Sequence, residues 1–254
     1  MTPADEWDAS GELRRMAELL TETDGGRLTD RCAGAVMLFV ARVCRDVWPL
    51  VIDPEYRLAV ELAERFWTGQ TENGPYADAL NAISWPSRVE LPDPQTAQDF
   101  AGRVARELDI FEYADFAFAM TDARDFAIEA VRRSPRTPKG ADYLRPFNGT
   151  DLVLCGRLRC LLANPFRAAP AFDPSWRTTT VTAIAAGILA DRAFDRLPVL
   201  ADALDDAGCD AADLLAHARG PGPHLFGCQA VSACLGSAPQ WQLVQSAHAL
   251  DPPP

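Results

Sequence analysis

Proline and glycine cut this chain into stretches in which apolar residues return every three or four positions and almost nowhere every second one. That spacing calls for helices and leaves little from which to build a sheet. The clearest stretch runs from Asp53 to Gly69. Asp53 is placed to accept from the first helical N–H groups, Pro54 suits the first turn, and Gly69 supplies a residue free to end a helix in the left-handed conformation. Between them Tyr56, Val60, Ala63 and Trp67 line one face, and Arg57, Glu61 and Arg65 recur four apart on the solvent side. The best strand candidate, Leu152-Val153-Leu154, is too short to argue for a sheet.

The same reading places a short helix over Gly11 to Leu20 and a longer one from about Thr29 to Trp48, stopped by Pro49. Val36, Phe39, Val40, Val43 and Val47 form its main face, but Met37, Leu38, Cys44 and Trp48 fill the other side, so it belongs at the centre of its domain. Gln95 to Ser134 is proline-free and helical in pattern, with a bend expected near Asp109 or Thr121. Further on, Thr150, Thr178 and Asp210 are expected N-caps, and a last helix is expected from His224 to Leu235. The expected fold is all-α, an irregular bundle or stacked helical hairpins of about nine or ten helices.

Composition divides the chain further. Residues 1–130 carry 12 Lys and Arg against 25 Asp and Glu, whereas residues 131–254 carry 12 against 11. The expected organisation is an acidic helical region over 1–133, a linker rich in Pro and Arg over 134–149, a helical module over 150–236 and a loose tail over 237–254. An acidic half repels phosphate backbones, which argues against nucleic acid as a partner. The longest strongly apolar stretch, Ala33 to Val43, has eleven residues and includes Arg42, too short and too charged for a membrane span. The N-terminus is acidic and lacks the apolar core of a signal peptide, and the seven cysteines are not spaced as a stapled scaffold. A cytoplasmic protein with reduced thiols is expected.

Several strings resemble a bacterial family of hypothetical helical proteins. Leu28-Thr-Asp-Arg31, Phe39-Val-Ala-Arg-Val-Cys-Arg-Asp-Val-Trp48 and Arg57-Leu-Ala-Val-Glu-Leu-Ala-Glu-Arg65 look like its N-terminal helix pair. Asn164-Pro-Phe-Arg167, Phe172-Asp-Pro-Ser-Trp176, Leu197-Pro-Val-Leu-Ala-Asp-Ala-Leu-Asp-Asp-Ala-Gly-Cys209 and Arg219-Gly-Pro-Gly-Pro-His224 look like its C-terminal module. The resemblance implies a helical fold; the family has no assigned enzyme activity, substrate or cofactor, so the resemblance leaves function open. The chain departs from the family where Val43 precedes a lone Cys44 and where His224-Leu-Phe-Gly-Cys-Gln229 follows the Pro-Gly-Pro turn.

With three histidines and one lysine, Lys139, most catalytic constellations are excluded: there is no His-Glu-x-x-His, no Gly-x-Ser-x-Gly and no phosphate-binding glycine loop. Catalytic residues and cofactors are expected to be none. Cys209, His217, His224 and Cys228 are the best metal-ligand set, but Cys209 and His217 stand eight apart, about 12 Å along a continuous helix, an objection that a break at Asp210 would relax. The Cys-x-x-Cys spacing of a strong site is also missing, so buried thiols and hydrogen-bonded imidazoles are the expected state. Asp202, Asp205, Asp206, Asp210 and Asp213 read as a solvated face. Asn164, Arg167, Trp176 and His224 are the candidates for a binding surface, since Trp and Arg dominate binding hot spots. The expected function is a non-enzymatic helical protein acting on an unknown protein partner. Two alternatives are a metal- or thiol-dependent enzyme centred on His224 and Cys228, and an immunity-type factor whose acidic half binds a basic partner.

Overall fold

In the computed structural model the Asp53 carboxylate accepts from the N–H of Glu55 at 2.8 Å, and the helix it opens stops at Trp67, before Gly69 at φ +78°. Thr178 likewise accepts from the N–H of Val181 and opens Thr179–Asp191. The structure describes residues 1–22, 27–84, 96–108, 116–145, 149–167 and 172–236. Among them are twelve α-helices and no strand: the fold is all-α, with slightly more helices than the nine or ten expected. They are α1 (Pro3–Ala9), α2 (Leu13–Glu22), α3 (Arg27–Asp46), α4 (Pro54–Trp67), α5 (Asn73–Ser84), α6 (Ala97–Arg106), α7 (Phe116–Arg133), α8 (Thr150–Leu162), α9 (Thr179–Asp191), α10 (Leu197–Asp206), α11 (Ala212–Arg219) and α12 (Gln229–Leu235). None of these is long and apolar enough to cross a membrane.

Local expectations are refined at several points. α1 has no counterpart in the apolar pattern because Trp7 is its one buried residue. The 95–134 stretch holds two helices, α6 and α7; Thr121 lies within α7, and Asp109 falls outside the described residues, as do Pro86, Pro92, Pro94, Phe111 and the tail with Trp241, Leu243 and Val244. The last helix opens at Gln229 rather than His224, and α11 opens after Ala211 with no side-chain cap, so Asp210 does not serve as one.

The chain separates into two units, Ser10–Cys155 and Met1–Ala9 together with Gly156–Pro254. In the first, α3 packs against α2, α4, α6 and α7, which is why its apolar residues occupy every side. Val36, Met37, Phe39, Val40, Val43, Cys44 and Val47 are all buried there. Its polar end is held by ionic contacts: Arg45 pairs with Glu64 at 2.7 Å and lies 4.0 Å over the Trp48 ring. The Tyr143 hydroxyl donates to buried Asp46 at 2.5 Å, and Ala141 and Leu144 beside it are buried.

In the second unit α9 packs on α10 and α12, and α10 on α11, around Val181, Ala185, Ile188, Leu197, Leu200, Leu204 and Val231. Asp202, Asp205, Asp206, Asp210 and Asp213 are exposed, as a solvated face requires. α1 belongs to this unit. The Trp7 indole N–H donates to the carbonyl of Ala163 at 2.6 Å, its ring meets Phe166 edge-on, and Arg159 donates to the Trp7 carbonyl at 2.7 Å.

A candidate metal centre

The second unit brings two thiols and two imidazoles to one point. Cys160 comes from the last turns of α8 and His217 from the last turn of α11. His224 follows the Gly220-Pro-Gly-Pro turn, and Cys228 is the residue before α12. One ligand atom from each lies within 4.8 Å of all the others.

Local structure accounts for this convergence. Gly156 carries no Cβ, and Pro223 packs into the space a Cβ would fill, so the turn lies directly on α8 one helical turn from Cys160. Gly222 takes φ +83°, which folds His224 back until its Nε2 reaches the Gly220 carbonyl at 3.1 Å. At the other end the Gln229 side chain donates to the Arg159 carbonyl of α8, holding Cys228 near Cys160.

A carbonyl oxygen only accepts, so His224 carries its proton on Nε2 and presents the lone pair of Nδ1, 3.9 Å from Cys160 Sγ. His217 turns Nε2 toward Cys228 Sγ at 3.4 Å. The two rings stand 4.8 Å apart at 84°. For zinc with Zn–S of about 2.3 Å and Zn–N of about 2.0–2.1 Å, the sulfur–nitrogen edges of a tetrahedron are about 3.6 Å. The observed 3.4 and 3.9 Å bracket that value. The backbone carbonyl on His224 is also the partner that fixes a metal-bound imidazole in one tautomer and orientation.

Electrostatics favour one anionic sulfur. A hydrogen bond from Cys160 holds the Cys228 thiol well below its usual range, and His217 and His224 add to this against the cost of burial. Burial, then the neighbouring Cys228 sulfur, pushes Cys160 up. His224 is raised, first by its contact with Cys228. A metal ion takes both sulfurs as thiolates and so relieves this imbalance.

Three of the four residues named from spacing, His217, His224 and Cys228, come together; Cys209, although buried, is not in the group, and Cys160 stands in its place. The 12 Å objection loses its basis because the chain between Cys209 and His217 is not one continuous helix: α10 ends at Asp206 and α11 begins at Ala212. Nor do His224 and Cys228 share a helical face, since both precede α12. No local signal points to Cys160, which is 64 residues from His224 in sequence.

The other candidates are placed differently. The Asn164 amide donates to the Ala4 carbonyl at 2.8 Å and to Asp8 at 2.9 Å, and Arg167 pairs with Asp8 at 2.8 Å. Trp176 is buried and packs edge-on against Phe172 at 5.3 Å. Asn164 and Arg167 thus grip α1 of their own unit.

Comparison of the chain with family models, with curated proteins and with solved structures returned no match.

Proposed function

We propose that the unit formed by Met1–Ala9 and Gly156–Pro254 binds one zinc ion through Cys160 Sγ, His217 Nε2, His224 Nδ1 and Cys228 Sγ, and that the ion is structural. The observation that carries this reading is the mutual 4.8 Å approach of two sulfur and two imidazole nitrogen donors. Two sulfurs and two imidazole nitrogens are a donor set that selects zinc among common divalent ions. Four protein donors leave no coordination position for water or substrate, which is the mark of a structural rather than a catalytic site. Burial of both sulfurs supports the same reading and argues against Cys228 as a nucleophile toward an organic substrate, which has no path to a residue that is 1% exposed. On this reading the protein is a non-enzymatic helical protein, acting through contacts with a protein partner, whose second unit is tied by a metal ion.

Elemental analysis of the full chain purified under reducing conditions tests the proposal. About one zinc per chain is expected, with cobalt substitution giving the absorption of a tetrahedral thiolate site. Cys228→Ser and His224→Ala should each lose the metal. A folded wild-type chain that stays metal-free when zinc is supplied, and whose melting is indifferent to a chelator, overturns it.

A further inference from the structure

Seven cysteines are present in this chain, and all seven are buried and none is in a disulfide in the structure. Only two of them stand together in the candidate centre: Cys160 and Cys228, whose sulfurs are close enough to share a hydrogen bond. The pair joins a rigid element to a less regular one. Cys160 is fixed within α8, whereas Cys228 sits between a non-helical stretch and the first turn of α12. Small movements of that stretch can bring one sulfur onto the other without unwinding a helix. His217 and His224 are partly exposed and both sulfurs are buried, so the imidazoles are the solvent side of the group and the oxidant that suits this pair is one about the size of water.

We infer that this centre is a redox-controlled metal clasp, in which hydrogen peroxide converts Cys160 and Cys228 to a disulfide and the zinc ion is released. The inference rests on the zinc reading above. The Cys228 thiolate attacks one peroxide oxygen, forming a sulfenic acid and expelling hydroxide, which takes a proton to become water. The Cys160 thiolate then attacks the sulfenic sulfur, the S–S bond forms, and the sulfenic oxygen leaves as hydroxide and is protonated to a second water. Two electrons pass from the sulfurs to the peroxide oxygens, and two protons are consumed. A disulfide is no ligand for zinc, and the two imidazoles that remain hold the ion too weakly to keep it. A dithiol reductant restores both thiolates by exchange, itself becoming a disulfide, and zinc rebinds.

The test treats the purified full chain, its zinc content first measured, with increasing hydrogen peroxide. Released zinc is read with a chromogenic chelator, and disulfides are mapped by mass spectrometry of non-reduced peptides. The expected result is one zinc lost for each Cys160–Cys228 disulfide formed, the other five thiols unchanged, and recovery after dithiothreitol and zinc. In Cys160→Ser the reaction should stop at a Cys228 sulfenic acid, trapped by dimedone; the wild-type peptide map needs no such variant and decides the matter if it does not fold. Zinc retained through a large excess of peroxide, or lost with oxidation confined to other cysteines or to sulfinic acids, overturns the inference. If the chain carries no zinc at the outset the metal reading fails by itself, and formation of the same disulfide in that metal-free chain still reports whether the sulfur pair is redox-active.

Discussion

Pro223 occupies the place of a side chain that Gly156 does not have: a Cβ on Gly156 would stand 2.8 Å from Cδ of Pro223. This contact sets the turn carrying His224 against the helix carrying Cys160. Gly156→Ala improves helix propensity by about 0.5–1 kcal/mol on local grounds, yet it should weaken zinc binding about tenfold or more by lifting the turn and its imidazole. Competition titration against a chelator of known affinity measures this, and unchanged affinity would mean that the turn does not position His224.

Trp7 is fully buried and donates to the Ala163 carbonyl. Trp7→Ala leaves a cavity and an unpartnered carbonyl and should cost about 3–5 kcal/mol in urea unfolding. Trp7→Phe keeps much of the volume and loses the donor, for about 1–2 kcal/mol.

Glu107 introduces a pH dependence. Burial, and secondarily the nearby Asp122 carboxylate, raises its pKa from 4.5 to about 8. A carboxyl group that resists ionising only in the folded state contributes its full stability below the unfolded value and loses it as pH rises toward the folded one. Stability should therefore fall between about pH 4.5 and about pH 8, by at most about 1.4 kcal/mol per pH unit from this group. Glu107→Gln should flatten that slope and raise the midpoint of urea unfolding at pH 8, leaving pH 4 little changed.

Arg45 contacts two glutamates of unequal worth. Glu64 is buried and 2.7 Å away, whereas Glu61 is exposed and 3.9 Å away. Glu64→Gln should cost about 3 kcal/mol, because the Arg45 charge keeps only Trp48 and a weak, distant carboxylate. Glu61→Gln should cost less than about 1 kcal/mol. Equal effects in thermal unfolding would contradict this ordering.

Much of the scaffold was legible because its signals are local. The Asp53 cap, the Thr178 cap and the all-round apolar α3 each follow from residues within a few turns of one another. Where a signal depended on assuming a continuous helix it misled. His224 to Leu235 reads as one helical run, but the turn around Pro223 delays α12 until Gln229. Asn164 and Arg167 have the chemistry of a recognition surface, and nothing near them in sequence reveals that Asp8 and the Ala4 carbonyl satisfy them.

Taken alone, the amino-acid order settled that this chain is helical and which of its faces are oily, because capping, helical spacing and the breaks at proline and glycine act over four or five residues. It also named His217, His224 and Cys228 among possible metal ligands, while the expected state was buried thiols and hydrogen-bonded imidazoles. Which thiol would join them was decided by packing. α8 and the Pro223 turn meet at the gap above Gly156, and that approach delivers Cys160 rather than Cys209 to the imidazoles. A coordination site requires donors a few ångströms apart in space, and separation along the chain carries no information about that distance once the chain has turned back on itself.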